Sequence, residues 1–108
     1  MTGRTEPARR IRIALSDAAY AIALDRGGVA QHGLRAALAE ARAVAPQDGP
    51  RREFSCTDQD SRRLLRFYKS AASFFSVSKD EERGLICREA YAAIDLARRQ
   101  AGFEALRW

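Results

Sequence analysis

The side chains that most often perform chemistry are scarce in this chain of 108 residues. His32 is the only histidine, and the two cysteines, Cys56 and Cys87, belong to no C-x-x-C pair. These ligands are too few for a structural zinc site. No nucleophile has an identifiable base beside it in the sequence. We therefore expect a protein that is not an enzyme and that has no catalytic residue, metal or cofactor.

The glycines form no phosphate-binding loop, because the chain contains neither G-x-x-x-x-G-K-[ST] nor G-x-G-x-x-G. Helical ribonucleases of the HEPN type use an arginine and a histidine a few residues apart. Arg26 and His32 have roughly that spacing. Gly27 and Gly28 lie between them and would break such a helix, which argues against a nuclease site.

The segment QHGLRAA at residues 31–37 resembles the H-x-L-K-G-[AS] signature of histidine phosphotransfer domains. That resemblance implies a four-helix bundle with His32 exposed. The segment departs from the signature at Arg35, where the family has lysine, and at Ala36, where it has glycine. His32 would also lie in the first turn of its helix rather than well inside it. A solvent-facing histidine without a role is the alternative.

The strongest local pattern is a run of basic residues within one predicted helix. Arg62, Arg66 and Lys69 follow i, i+4, i+7 spacing and therefore share a solvent-facing side, with Arg63 beside them. No acidic residue lies between Arg62 and Lys69. Arginines at phosphate spacing release counterions from a nucleic-acid backbone, so we expect this helix to bind phosphates. A solvated charged face is the alternative.

Arg51 and Arg52, on the stretch before this helix, would continue the same contact. The formal net charge is +5, which favours an anionic partner. Of the 19 basic residues, only Lys69 and Lys79 are lysines. The guanidinium fork suits phosphate, although a GC-rich genome would produce the same bias. A helix-turn-helix around Gly27 would offer few base-reading side chains, so we expect binding without sequence specificity.

Apolar spacing, capping residues and helix breakers predict helices at residues 6–25, 29–45, 57–75 and 78–100. Thr57 would cap the third helix, and the S-x-x-E pattern that begins at Ser78 would cap the fourth. Residues 46–56 contain two prolines and a glycine and are predicted to be the one long loop. The predicted fold class is all-α, a compact single-domain bundle of four main helices over residues 1–108.

The first predicted helix has a second apolar stripe formed by Ile13, Tyr20 and Leu24. A helix with two apolar stripes either lies between neighbours or offers one stripe to another chain, so these residues are candidate protein-interface residues. The aromatic residues of the third helix fall on its apolar half, and we expect them to pack in the core: Phe67, Tyr68, Phe74 and Phe75.

The predicted bundle and the basic stretch TDQDSRRLLRFYK at residues 57–69 resemble the small helical subunit of CRISPR effector ribonucleoprotein complexes. That resemblance implies a non-catalytic subunit that touches the backbone of RNA or single-stranded DNA. It also implies contacts with other protein subunits or copies of itself. The alternative is a helical protein–protein adaptor or an immunity-type bundle.

No apolar run approaches the roughly 20 residues that span a bilayer. The N-terminal stretch is basic and lacks the apolar region of a secretory signal. The sequence therefore predicts a cytoplasmic protein with no membrane partner.

Overall fold

The computed structural model of the protein describes residues 10–26, 42–44 and 51–104. Over these ranges the elements, in chain order, are β1 (Ile11–Ser16), α1 (Asp17–Arg26), β2 (Arg42–Val44), β3 (Arg51–Cys56), α2 (Asp58–Val77) and α3 (Glu81–Gln100). The strands form an antiparallel sheet in the order β1-β3-β2, with β3 in the centre. The fold therefore mixes helices with a sheet, and the predicted all-α bundle of four helices is wrong.

β1 occupies residues that the predicted helix 6–25 included. Ile11, Ile13 and Leu15 are all buried, whereas Arg12 between them is exposed. Side chains of a strand alternate between two faces. One strand therefore buries all three apolar residues together, whereas a helix divides them between two stripes. Ile13 was placed on a second apolar stripe with Tyr20 and Leu24 because the helical period was extended into this strand.

α1 begins only where the alternation ends. The hydroxyl Oγ of Ser16 accepts a hydrogen bond from the backbone N–H of Ala19 at 3.2 Å, which satisfies a donor of the first turn. Asp17 lies in that turn, where a negative charge is favourable to the helix dipole. The helical prediction is thus confirmed from Asp17 onward.

β3 lies in the stretch predicted to be a loop, residues 46–56. It pairs with β1 so that Phe54 lies opposite Ile13 and Cys56 lies opposite Ile11. These four side chains are buried and, with Leu15, belong to the core. The loop prediction is therefore wrong for the second half of the stretch.

β2 overlaps the end of the helix predicted at residues 29–45, and it pairs with the first half of β3. The helical prediction is wrong over residues 42–44. The rest of that helix lies outside the described residues, as do His32 and Arg35. The phosphotransfer and helix-turn-helix hypotheses therefore stay predictions.

α2 and α3 form a helical hairpin close to the predicted boundaries. The prediction that Thr57 caps α2 is confirmed, because its hydroxyl accepts the N–H of Asp60 at 3.2 Å. Asp80, rather than Ser78, caps α3 by accepting the N–H of Arg83 at 3.2 Å. The predicted capping box at Ser78 is wrong, because Lys79 adopts a left-handed φ of 61° and turns the chain before α3 begins.

The core lies where the hairpin and α1 meet one face of the sheet. α3 packs against both α2 and β1. Tyr68 of α2 is fully buried, and its hydroxyl donates to the backbone oxygen of Ala19 in α1 at 2.7 Å. Burial raises the pKa of Tyr68, so the phenol stays protonated and keeps this bond between α1 and α2.

Candidate nucleic-acid interface

α2 separates its apolar and basic residues onto different sides. Arg62, Arg66 and Lys69 are exposed and Arg63 is half-buried. The opposite side supplies core residues: Leu64, Leu65, Tyr68, Ala71 and Phe75. The division predicted for this helix is therefore present, and it holds the predicted phosphate-binding cations on one rigid element.

Two of these cations have acidic partners in the first turn of α2. Arg62 lies 3.1 Å from Asp58, and Arg63 lies 3.7 Å from Asp60. The chain has no acidic residue from position 61 to position 79. The part of α2 after its first turn, which contains Arg66 and Lys69, is therefore basic in sequence.

Asp58 also holds a buried cation of α3. Nη1 of Arg98 donates to Oδ1 of Asp58 and to the hydroxyl of Ser61, each at 2.5 Å. Burial alone would raise the pKa of Asp58, but hydrogen bonds and positive charge from Arg98 and Arg62 outweigh it and hold the pKa below its ordinary 3.8. Asp58 therefore stays ionised and is shared between Arg98 and Arg62.

Arg51 and Arg52 lie on β3 rather than on a loop, and the strand directs them to opposite faces of the sheet. Arg52 shares the face of Phe54. Its Nε lies 3.3 Å from Oδ1 of Asp17, and its guanidinium lies 5.2 Å from the centre of the Tyr20 ring. Arg52 therefore ties β3 to α1. The expectation that both arginines continue one basic surface along a loop is wrong.

The predicted protein-interface residues do not form an exposed stripe. Ile13 is 0% exposed and belongs to the core, so its assignment to an interface is wrong. Tyr20 is half-buried against the core and lies beneath Arg52. Leu24 is 42% exposed, as an interface residue requires.

Larger apolar side chains are exposed on the hairpin instead. Leu85 and Leu96 of α3 are 51% and 55% exposed. Phe74 and Val77 of α2 are exposed as well, so the prediction that Phe74 packs in the core is wrong. The exposure of these leucines could have been predicted from helical spacing, because Leu85 and Leu96 lie on a different side of α3 from the buried Ile94.

A cleft of about 410 Å³ lies beside the basic side of α2, between the two helices of the hairpin. Its lining residues are Tyr68, Lys69, Ala72 and Ser73 of α2 and Arg88 and Tyr91 of α3. Sequence reasoning missed Arg88 because it lies on a different helix from Lys69. The cleft therefore adds a cation and an aromatic ring to the predicted surface.

A larger groove, of about 650 Å³, lies between α1 and the turn of the hairpin. The charged residues that line it, among those that the structure describes, are Asp25, Asp80, Glu82 and Arg83. Arg83 lies 3.0 Å from Asp80. This groove has the wrong charge for phosphate, so the α2–α3 side of the molecule is the better candidate for an anionic ligand.

Within the described ranges, no cluster of three or more His, Cys, Asp or Glu side chains could hold a metal ion. Cys56 and Cys87 are buried free thiols. Burial above all, with the nearby Asp60 carboxylate, raises the pKa of Cys56 to about 12, so this thiol is not an activated nucleophile. None of the described helices has the length and apolar character to cross a membrane.

Comparison of this chain with protein-family models, with curated proteins and with solved structures gave no match in any of the three.

Proposed function

We propose that this chain binds the backbone of RNA or single-stranded DNA, without sequence specificity and without catalysis, as one subunit of a larger ribonucleoprotein assembly. The observation that carries the proposal is the exposed basic side of α2. Arg66 and Lys69 lie there within a stretch of nineteen residues, 61–79, that contains no acidic side chain. The net charge of +5 supports the same partner.

The resemblance to the small subunits of CRISPR effector complexes implied a helical bundle. The sheet of β1, β2 and β3 removes that architectural support. The proposal therefore keeps the backbone-binding chemistry of α2 and does not assign the chain to that family.

The cations on α2 act by neutralising phosphates and releasing condensed counterions. Arg62 is exposed, and its surface pair with Asp58 is of the kind worth about 0–1 kcal/mol, so a phosphate can compete for the guanidinium. If Arg62, Arg66 and Lys69 each neutralise one phosphate, the logarithm of affinity falls with the logarithm of salt concentration with a slope of about −2.

Fluorescence anisotropy with a labelled single-stranded oligonucleotide, measured over a salt series, tests this proposal. We expect the double variant Arg66→Glu, Lys69→Glu to bind more weakly, with a slope that flattens by about 1.4. The matched control is Arg12→Glu with Lys79→Glu, two exposed cations on other parts of the molecule. Both double variants lower the net charge equally, so only the position of the charge differs.

Equal losses in the two double variants would mean that binding follows net charge rather than the α2 surface. No binding of the wild type at low salt would contradict the proposal and favour the protein-adaptor alternative. Circular dichroism of each variant establishes that helicity is retained.

The assembly part of the proposal is supported by the apolar side chains that α3 exposes. Leu85 and Leu96 lie eleven positions apart, the spacing of residues on one side of a helix, and both are more than half exposed. We propose that this side contacts another subunit or a second copy of the chain. A cytoplasmic location is part of the same proposal, and the free, buried thiols of Cys56 and Cys87 are consistent with it.

A further inference from the structure

The α2–α3 cleft combines groups that recognise different parts of a nucleotide. Lys69 and Arg88 approach it from two helices, and Ser73 adds a hydroxyl. Of the described residues that line the cleft, two are cations and none is acidic. This end of the cleft is therefore suited to an anion with several acceptor oxygens.

The rest of the cleft wall is apolar and aromatic. Tyr91 is half-buried, Ala72 lies against the core, and the fully buried Tyr68 closes the inner side. Apolar and aromatic side chains do not stabilise a bound phosphate, whereas a nucleobase is stabilised by contact with an aromatic ring. The volume of about 410 Å³ lies in the range of about 300–1,000 Å³ typical of small-ligand pockets.

We infer that the α2–α3 cleft is a subsite for one nucleotide of the bound strand. The phosphate lies between Lys69 and Arg88, and the base packs against Tyr91. This inference rests on the proposed function, because it places one unit of the same strand. It differs from that function in requiring a base as well as a backbone.

The subsite restricts the form of the ligand. A base can enter the cleft only when it is unstacked from its neighbours, which a single strand permits and an intact duplex does not. Stacking on an aromatic ring is tolerant of base identity, since every base presents a π-face. Single strands are therefore preferred over duplexes, without a sequence preference.

The test compares two labelled single strands of equal length and charge, an oligothymidylate and the same backbone made of abasic sites. We expect the full chain to bind the base-bearing strand roughly tenfold more tightly, within the range of one stacked base. Tyr91→Ala should abolish this preference, and Tyr91→Phe should retain it. Arg88→Gln should weaken binding of both strands and flatten the salt slope by about 0.7.

The outcomes separate the subsite from the proposed function. Salt-sensitive binding of both strands with equal affinity by the wild type would overturn the subsite and leave backbone binding intact. Absence of binding to either strand would overturn both. The wild-type comparison decides the question even if Tyr91→Ala does not fold, and an oligouridylate arm distinguishes RNA from DNA as the source of the nucleotide.

Discussion

The Asp58 carboxylate lies 2.5 Å from Nη1 of Arg98, and this contact joins the first turn of α2 to the last turn of α3. Arg98 is only 1% exposed, so its charge is almost completely removed from water. The centre of the Phe103 ring lies 5.4 Å from its guanidinium carbon. A buried arginine needs its carboxylate partner, because a charge left alone in the interior is costly. Asp58 therefore stabilises the pairing of the two helices that form the cleft.

Replacement of Asp58 by asparagine should destabilise the fold by about 2–3 kcal/mol. This is below the full cost of breaking a buried ion pair, since the Asp58 side chain is one-third exposed. The control is Asp95→Asn, which removes the partner of the exposed Arg99 and should cost less than about 1 kcal/mol. Urea denaturation measures both values. Equal costs for the two variants would show that burial of Arg98 contributes nothing to the pair.

The pair of Asp58 and Arg98 also predicts how the free energy of unfolding changes at acidic pH. The pKa of Asp58 is lower in the folded chain than its ordinary 3.8, so the unfolded chain takes up this proton first. The stability that ionised Asp58 contributes is fully present above its ordinary pKa of 3.8. It is lost as the pH falls through the lower pKa that Asp58 has in the folded chain. The gap in unfolding free energy between wild type and Asp58→Asn should therefore narrow below about pH 4. A gap that stays constant would contradict the lowered pKa.

The raised pKa of Cys56 predicts how the free energy of unfolding changes at alkaline pH. Its pKa is raised from 9.0 to about 12, so in alkali the unfolded chain loses this proton before the folded one does. The stability that the neutral thiol contributes is fully present below pH 9.0, the pKa of the thiol in the unfolded chain. It is lost as the pH rises above that value. Wild type should lose about 1.4 kcal/mol per pH unit more than Cys56→Ala above pH 9. Parallel profiles for the two proteins would contradict this prediction.

The sequence was sufficient to predict the hairpin, because α2 and α3 are long, amphipathic and bounded by polar capping residues. It was insufficient for the sheet, whose apolar residues satisfy both a helical and a two-residue period over short stretches. Ile11, Ile13 and Leu15 become one face only when β3 pairs with them, and that pairing joins residues up to forty-five positions apart. Local spacing was therefore compatible with a strand, but it did not decide between the two periods without that pairing.

In the candidate site, too, local spacing predicted some features, whereas others depend on how distant parts of the chain pack together. The basic side of α2 is local and was predicted from the spacing of Arg62, Arg66 and Lys69. The position of Arg88 across the cleft depends on how α3 packs, which local spacing does not specify. Arg52 looked like part of the basic surface by residue type, yet its position in β3 directs it toward Asp17.

Substitutions of Arg52 and Arg66 should therefore affect different properties. The first should mainly lower stability, and the second should mainly weaken nucleic-acid binding. Arg52→Gln removes the contacts with Asp17 and Tyr20 and should lower the unfolding free energy by about 1 kcal/mol, with little change in the salt slope of oligonucleotide binding. Arg66→Gln replaces an exposed side chain, so it should cost less stability than Arg52→Gln, and it should flatten that slope by about 0.7. Thermal denaturation and anisotropy of both variants provide the comparison. If Arg52→Gln flattened the slope as much as Arg66→Gln, the binding surface would extend across β3.

If a second copy is the partner of the exposed leucines of α3, the chain should self-associate. Leu85 and Leu96 lie about 16 Å apart along the helix, at about 1.5 Å per residue, with the exposed Ala92 between them. Two copies that pack these sides together would bury both leucines. Light scattering over a concentration series should then show a dimer that Leu85→Gln with Leu96→Gln converts to a monomer. Val77→Gln is the control, because Val77 is exposed at the turn of the hairpin and should leave the dimer unchanged. A wild type that stays monomeric at every concentration would exclude a second copy as the partner of this face and leave a different subunit in its place.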